Sequence, residues 1–300
     1  MTSLRSRAVI AKYRITRRKR VFSDVDKLHE SIRHPSAVPR VPRGTFRGCR
    51  ISCHDVRGFP YFRITPESGP VPYHVLYLHG GAYVHGIEGA HWRFLDRLVR
   101  TTGCAVAVPL YPLAPEHTHR EVLPVVEECY ERTLGELAPD RQVVMGDSAG
   151  GGLGLHLAQW LRDQHRPLPR RTVLISPWLD VSAAHPAMAG LDRTDPYLSR
   201  PGLREAGLLY ADGLSPHDPR VSPLYGGLDG LGPTVVFSGT RDVLLSDARR
   251  FRELAAQHAV PLDYEEYPGM FHGWMLQDLP EARQATRRLA ALLESVPAAR

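Results

Sequence analysis

The pentapeptide Gly146-Asp147-Ser148-Ala149-Gly150 constrains this chain more than any other stretch. It has the pattern G-x-S-x-G, with the apolar run 142–145 before it and a segment suited to a helix, 151–158, behind it. A strand, a tight turn and a helix in this order form the context in which the pattern presents a reactive serine. The sequence therefore predicts that Ser148 is a nucleophile, which needs a base elsewhere in the chain to remove its proton.

Apolar and helical segments alternate along most of the chain. The predicted strands are 46–56, 61–65, 73–78, 104–110, 142–145, 172–175, 234–237 and 262–267, and the predicted helices are 21–33, 92–100, 119–137, 148–165, 203–211, 246–258 and 281–295. Repeated strand–helix units indicate an α/β fold with a mostly parallel sheet and helices on both faces. Such sheets bind ligands at the carboxyl ends of their strands.

Two segments that follow predicted strands offer partners for Ser148. Asp242 comes after the strand 234–237, and His272 lies in a loop after the last predicted strand. Both are expected at the same carboxyl edge as the serine. The chain order of serine, aspartate and histidine is the order of α/β-hydrolases, so we predict a catalytic triad of these three residues. Asp247 and Asp263 remain rival acids.

Backbone donors for a developing oxyanion are expected in the glycine-rich segment after the strand 73–78. We predict an oxyanion hole made by the N–H groups of Gly80, Gly81 and Ala149, because glycines let the backbone approach a substrate closely.

Aromatic and acidic residues near these segments allow two interpretations. Tyr83, Trp92 and Trp178 are candidates for substrate binding in an acyl pocket, with packing in the core or in a cap as an equal alternative. For Asp147 and Glu116 we favour a structural role, as hydrogen-bond anchors beneath the site.

Five motifs together resemble the hormone-sensitive lipase family of bacterial carboxylesterases, over about residues 45–296. They are His79-Gly80-Gly81-Ala82, Tyr111-Pro112-Leu113-Ala114-Pro115-Glu116-His117, Gly146-Asp147-Ser148-Ala149-Gly150-Gly151, Ser176-Pro177-Trp178-Leu179-Asp180 and Gly239-Thr240-Arg241-Asp242. The resemblance implies an α/β-hydrolase fold of about eight strands, a cap, and a serine carboxylesterase that hydrolyses short- to medium-chain esters through an acyl-enzyme. Ala82 departs from the third glycine of many members, and its methyl group would narrow the space for the alcohol.

The predicted organisation has four segments. Residues 1–45 form a basic N-terminal arm and a cap helix, 46–179 the first part of the hydrolase core, 180–225 a cap insertion and 226–300 the second part of the core. The insertion is inferred because residues 180–225 are rich in Pro, Gly, Asp and Arg and interrupt the strand–helix alternation.

Other functions remain compatible with the same residues. An amidase, a thioesterase or an acyltransferase could use the same triad. A non-catalytic relative that binds a small molecule would lack the histidine, whereas His272 is present here. We expect a small-molecule ester as the substrate, and we expect no cofactor and no metal.

The net charge of +6 is unevenly distributed. Residues 1–20 carry eight Lys and Arg and no acid, so the remaining 280 residues have a net charge of about −2. No nucleic-acid partner is expected, because the body is not basic and the arm has no recognised fold behind it. We expect the arm to be a solvated helix or a frayed end; a weak membrane-surface contact through residues 1–20 and a homodimer stay open.

The cysteines and the hydropathy bear on the location of the protein. Cys49 and Cys53 sit four residues apart in a predicted strand, about 13 Å from each other, which is too far for a disulfide. Cys104 is expected to be a buried thiol. No apolar run reaches 18 residues and no signal-peptide pattern is visible, so we expect a cytoplasmic protein.

Overall fold

The computed structural model describes residues 2–34 and 40–295. Residues 1 and 35–39 of the predicted segment 1–45, and residues 296–300 of the predicted segment 226–300, lie outside this description. An eight-stranded sheet has the order β1-β2-β4-β3-β5-β6-β7-β8. Its strands are β1 Cys49–Val56, β2 Phe59–Pro66, β3 His74–Leu78, β4 Ala105–Pro109, β5 Gln142–Asp147, β6 Arg171–Ile175, β7 Thr234–Gly239 and β8 Leu262–Tyr267. Pairing is antiparallel from β1 to β2 and from β2 to β4, and parallel from there on. The predicted α/β fold with a mostly parallel sheet of about eight strands is confirmed.

Helices cover both faces of the sheet. They are α1 Leu4–Ile15, α2 Arg20–Ser23, α3 Val25–Arg33, α4 Gly89–Thr102, α5 His119–Thr133, α6 Ala149–Asp163, α7 Met188–Thr194, α8 Arg200–Ala211, α9 Leu245–Gln257 and α10 Pro280–Glu294. Val75 and Tyr77 of β3 pack with α4 and α10, while Leu76 and Leu78 pack with α5 and α6. The alternation of a strand's side chains thus builds one core on each face. Among the described helices none is both long enough and apolar enough to cross a membrane.

The predicted helix 21–33 is interrupted at Asp24. The backbone of Asp24 is extended, with φ −134° and ψ 111°, and its side chain accepts a hydrogen bond from the N–H of Lys27. Asp24 therefore caps a new helix instead of continuing the previous one, as short acidic side chains commonly do. Apolar spacing alone gave a continuous helix because Val21 and Leu28 keep helical periodicity across the break.

The basic N-terminal arm forms the helix α1, most of whose residues are exposed as expected of a solvated helix, but one side of it packs against the body of the protein. Ser3 and Ser6 donate hydrogen bonds to the carboxylate of Glu281 in α10. Ile10 is buried in the core between the sheet and α10. The rings of Tyr13 and Phe271 pack edge to face, with 5.5 Å between their centroids. The packing of this side was not predicted, because charged residues dominate the sequence of the arm and its buried residues are few.

The insertion 180–225 contains α7, α8 and a short 3-10 turn, Pro223–Tyr225. The N-terminal helices α2 and α3 pack against α8. Helices α2 and α8 approach each other closely at Gly202, where an added Cβ would lie 2.6 Å from both the Cα and the carbonyl oxygen of Phe22. The N-terminal segment and the insertion therefore form one layer, held together where a residue without a side chain admits the backbone of α2.

Replacing Gly202 with alanine should separate these two segments. The new methyl group would press on backbone atoms that cannot rotate away, so Gly202→Ala should reduce the free energy of unfolding by about 1–3 kcal/mol. Gly190→Ala in α7 is the matched control, because nothing lies within 4 Å of its added Cβ. The control should be neutral or gain up to about 1 kcal/mol from helix propensity. Equal urea midpoints for the two variants would contradict the close approach.

Candidate active site

Ser148 lies in a strained turn between β5 and α6. Its backbone has φ 53° and ψ −120°, outside the regions that a serine usually occupies. A Cβ on Gly146 would lie 2.0 Å from the carbonyl oxygen of Gly150, and a Cβ on Gly150 would lie 1.9 Å from that of Leu78. The small residues of G-x-S-x-G are thus required by the backbone itself. The N–H of Ser148 donates to the carbonyl of Ile175 at 2.9 Å, which fixes the turn to the end of β6.

His272 and Asp242 form a buried pair at the same edge of the sheet. Nδ1 of His272 lies 3.1 Å and 3.0 Å from the two carboxylate oxygens of Asp242. Oδ1 of Asp242 also accepts the N–H of Leu244 at 2.9 Å. Burial disfavours the protonated ring, but the carboxylate of Asp242 outweighs that effect and raises the pKa of His272. Asp242 follows β7 and His272 follows β8, so parallel neighbouring strands bring the two side chains together.

The two rival acids have other partners. Asp247 accepts the N–H groups of Leu179 and Asp180, both at 3.1 Å, and holds the segment after β6. Asp263 faces Arg171, with 3.8 Å between charged atoms. Neither carboxylate hydrogen-bonds to His272, which leaves Asp242 as the acid paired with this imidazole.

A second buried carboxylate, Asp195, comes from the insertion. Its Oδ2 accepts the N–H of Val243 at 2.9 Å, and its Oδ1 accepts the N–H groups of Tyr197 and Leu198. Burial and the nearby charge of Asp242 raise the pKa of Asp195 to about 7. No sequence pattern pointed to Asp195, because it lies in the irregular segment 180–225, whose geometry could not be predicted.

Ser148 and His272 line the same cavity, whose volume is about 90 Å³. Its wall also includes Gly81, Ala82, Asp147, Leu198 and Leu276, together with the residues Tyr13, Arg18, Phe22, His85, Glu88 and Tyr197. Over residues 2–34 and 40–295 no hydrogen bond joins the Ser148 hydroxyl to the His272 ring. A longer separation between nucleophile and base is common in unliganded sites, and it tightens when substrate binds. Nor do these residues include a group of His, Cys, Asp and Glu that could hold a metal ion.

Gly80 is not a free donor, which corrects the predicted oxyanion hole. Its N–H donates to Oδ1 of Asp147 at 2.9 Å. The N–H groups of Gly81 and Ala82 have no acceptor among the described residues, and Ala149 is the first residue of α6, where an N–H has no partner within the helix. Both glycines were predicted as donors because the sequence does not show which amide donates a hydrogen bond to the carboxylate of Asp147.

Asp147 is the structural anchor that the sequence suggested. Its carboxylate accepts the hydroxyl of Tyr77 at 2.5 Å and the N–H of Gly80, and Nε2 of His91 lies 3.5 Å away. Burial alone would raise the pKa of Asp147, but these three neighbours stabilise the carboxylate and lower it. Glu116, by contrast, is exposed, and its carboxylate accepts no hydrogen bond from the residues that the structure describes.

The three aromatic candidates for substrate binding do not line the cavity. Trp92 packs in the core against Phe46 and Phe62. Tyr83 stacks on Tyr210 at 3.8 Å between ring centroids, and Trp178 lies beside Tyr83. The structure therefore corrects all three assignments in favour of packing, the alternative left open by the sequence.

Residues of the N-terminal segment and the insertion line the cavity instead. Tyr13, Arg18 and Phe22 come from α1, α2 and the turn between them, and Tyr197 comes from the insertion. The ring of Tyr197 stacks near His272, with 6.1 Å between centroids, and the guanidinium of Arg18 lies 5.5 Å from the ring centre of Tyr197. These four lining residues were not predicted, because their contacts join segments that are far apart in the chain.

Comparisons with known proteins agree with this architecture. A family described as the alpha/beta hydrolase fold matches residues 75–276. An esterase of Acinetobacter venetianus is 34% identical over 227 residues, which cover 74% of this chain and 75% of that protein. An acetyl-hydrolase of Streptomyces hygroscopicus is 34% identical over 224 residues, with coverage of 74% and 75%. The crystal structure of an esterase from the bacterial hormone-sensitive lipase family superimposes with a TM-score of 0.80 and 30% identity, covering 92% of this chain and 99% of that chain.

The sheet, the strained serine turn and the buried histidine–aspartate pair are those of an α/β-hydrolase. The chain belongs to the bacterial hormone-sensitive lipase family within that fold, which confirms the resemblance of its motifs. It is a carboxylic ester hydrolase.

Tyr77→Phe should destabilise the protein, because it removes a charge-assisted hydrogen bond from a buried carboxylate. The expected loss is about 1.5–3 kcal/mol in the free energy of unfolding. Tyr210→Phe is the control, since the buried hydroxyl of Tyr210 has no partner among the described residues. It should be neutral or slightly stabilising.

The loss in Tyr77→Phe should also depend on pH. A carboxylate whose pKa is lowered in the folded state stabilises the protein above the unfolded value of about 3.8 and stops doing so as the pH falls through the lowered pKa. The difference between Tyr77→Phe and wild type should therefore shrink in acid. Denaturant titrations at several pH values check this, and a difference that grows in acid would contradict an ionised Asp147.

Proposed function

We propose that this carboxylesterase hydrolyses esters of short acyl chains with Ser148 as nucleophile, His272 as general base and acid, and Asp242 as the residue that orients the imidazole. The observation that carries the proposal is the buried hydrogen bond between His272 and Asp242, in a pair whose histidine lines the same cavity as the strained serine. The carboxylate holds the proton on Nδ1, so that Nε2 is free to accept the proton of the serine hydroxyl.

The reaction follows from these positions. The Ser148 oxygen attacks the ester carbonyl while Nε2 of His272 takes its proton, and the imidazolium is stabilised by Asp242. The same proton passes to the departing alcohol, which leaves an acyl-enzyme. Water, deprotonated by His272, then attacks the acyl carbonyl and releases the acid and the free serine. Each half reaction returns the imidazole to its neutral form.

We propose that the oxyanion is bound by the N–H groups of Gly81, Ala82 and Ala149. Two of them belong to a loop with positive φ at Gly81, Ala82 and Tyr83, a run of left-handed residues that turns successive amides away from the strand. Such preorganised donors stabilise charge as it develops, without reorientation. The commitment of the Gly80 amide to Asp147 supports this assignment, because it holds the start of the loop in place.

We further propose that the N-terminal helices and the insertion act as a cap that limits the acyl chain. Their residues Tyr13, Phe22 and Leu198 line the cavity around Ser148. The cavity is small: its volume of about 90 Å³ is less than the roughly 150 Å³ of a protein cavity that holds benzene. The name acetyl-hydrolase carried by one relative is consistent with a short acyl chain.

A reducing compartment such as the cytoplasm fits the thiol chemistry. Cys49, Cys53, Cys104 and Cys129 are all free, and burial raises the pKa of Cys104 to about 12. Unpaired thiols that persist in this way are typical of reducing surroundings.

Ser148→Ala should abolish turnover of p-nitrophenyl acetate, with a loss of about 10⁴–10⁶-fold in kcat. Labelling of the protein by a fluorophosphonate probe should disappear with it. Ser238→Ala is the control, because the Ser238 hydroxyl is buried and has no partner among the described residues, and it should keep both properties. A Ser148→Ala variant with more than a tenth of wild-type turnover would reject this nucleophile.

The acyl-chain profile should report the size of the cavity. We expect kcat/KM on p-nitrophenyl esters to fall sharply beyond about four acyl carbons, since a cavity of about 90 Å³, smaller than one that holds benzene, leaves little room for a longer chain. Leu198→Ala should extend the tolerated length of the acyl chain; an extension only in a series of acetates of longer alcohols would instead assign this wall of the cavity to the alcohol group.

Leu203→Ala controls for loss of packing in the profile experiment. Leu203 is buried in the insertion like Leu198 but does not line the cavity. It should lower stability without moving either profile. Unchanged profiles in Leu198→Ala, measured well below its melting temperature, would argue against a cap that limits the acyl chain.

A further inference from the structure

The outer face of α1 carries an exposed apolar stripe. Leu4, Ala8, Ala11 and Ile15 are all solvent-exposed, with exposed fractions of 82% for Leu4 and 81% for Ile15. At about 100° per residue these four positions fall within about 60° of arc, and at a rise of 1.5 Å per residue they extend over about 16 Å. Water thus covers an apolar line along the whole helix, although the opposite side of α1 supplies the buried contacts of Ser6 and Ile10.

Basic residues border this stripe on both sides. Arg7 and Arg14 lie along one side of it, and Arg5 and Lys12 along the other, within about 60–100° of its centre. Arg5 pairs with Asp278. In the part of the chain that the structure describes, Arg7, Lys12 and Arg14 form no ion pair, so their charges are not neutralised locally.

Further cations extend the surface beyond α1. Arg241 lines a groove with Arg7 and Arg14 beside the helix, and Arg17, Arg20 and Arg193 line a second groove that also includes Arg14. Ion pairs to these four additional arginines are likewise absent from the described residues. Seven cations of this surface therefore have no ion pair with any described residue: Arg7, Lys12, Arg14, Arg17, Arg20, Arg193 and Arg241.

We propose that this face of α1 binds the surface of an anionic lipid bilayer. An apolar stripe with cations on both sides is the arrangement in which a helix lies in the interface, its apolar side chains among the acyl chains and its cations at the anionic headgroups. A second copy of the chain would bring two uncompensated basic faces together, and like charges repel. A nucleic acid would match the cations but would leave Leu4 and Ile15 without a favourable environment.

Docking in this way would bring the esterase site close to the membrane. Tyr13 lies on the inner side of the same helix and lines the cavity with Ser148. One helix diameter, about 10 Å, then separates the bilayer surface from the cavity wall. An ester dissolved in the membrane interface would have a short path to the nucleophile.

Vesicle co-sedimentation tests the binding without relying on turnover. The full chain should sediment with vesicles of phosphatidylglycerol and phosphatidylcholine but not with phosphatidylcholine alone, and 0.5 M NaCl should weaken binding because salt screens surface charge. The triple variant R7E/K12E/R14E should lose at least tenfold in apparent affinity. The triple variant R50E/R204E/R287E, with the same charge change on exposed residues of β1, α8 and α10, should lose less than threefold.

The apolar stripe has its own matched control. Leu4→Ser with Ile15→Ser should weaken vesicle binding several-fold, whereas Ile51→Ser with Leu208→Ser, at the other two exposed large apolar residues, should not. Thermal unfolding and turnover of a soluble acetate ester verify that each variant is folded.

Several outcomes would overturn the proposal. They are no sedimentation with anionic vesicles, equal losses in the test and control variants, and binding to duplex DNA that depends on the cations but not on Leu4 and Ile15. A dimer in sedimentation velocity that Leu4→Ser with Ile15→Ser dissociates would assign the face to a second copy instead. Because vesicle binding and ester hydrolysis are measured separately, failure of one leaves the other unaffected.

Discussion

A single buried carboxylate, that of Asp147, joins the segments from which the rest of the site is built. It accepts hydrogen bonds from Tyr77 in β3 and from the amide of Gly80 at the start of the donor loop, and it faces His91 in α4. Because Asp147 directly precedes Ser148, a shift of the loop that begins at Gly80 would also displace the turn that holds the serine. An unpaired charge at this depth would be costly, so the three partners and the carboxylate require one another.

The same carboxylate explains which amides remain free. With the Gly80 N–H occupied, the loop turns through positive φ angles at Gly81, Ala82 and Tyr83. Two of these residues carry side chains that disfavour this conformation, at a cost of order 1–3 kcal/mol each. The surroundings offset that strain: the ring of Tyr83 is stacked on Tyr210, and the hydroxyl of Tyr111 donates to the carbonyl of His79 at 2.6 Å. The strained backbone of this loop is therefore stabilised by the packing of Tyr83 and by the hydrogen bond from Tyr111.

The sheet could be predicted well from the sequence, because a strand that is buried on both faces has a simple pattern, a short apolar run between helical segments. It also led to the pair of Asp242 and His272 that the structure joins, since chain order and strand ends restrict where such residues can meet; their catalytic roles remain our proposal. Contacts between segments that are far apart in the chain have no such pattern and could not be predicted. Gly80 was predicted as a donor because the sequence does not show its hydrogen bond to Asp147, and for Trp92 the choice between a pocket and packing stayed open until the structure placed it beside Phe46 and Phe62.

The N-terminal segment shows why net charge alone is a poor guide to the role of a basic stretch. Lys19 pairs with Asp192 at 2.6 Å and Arg18 lies by Glu88, and these partners fix the segment over the cavity. The partly buried pair of Lys19 and Asp192 contributes to this packing, whereas the exposed pair of Arg18 and Glu88 contributes only about 0–1 kcal/mol. Arg7, Lys12 and Arg14 point to solvent beside the apolar stripe and contribute nothing comparable to folding. The helix α1 is therefore divided lengthwise, with the inner side committed to the core and the cavity and the outer side left available for a partner.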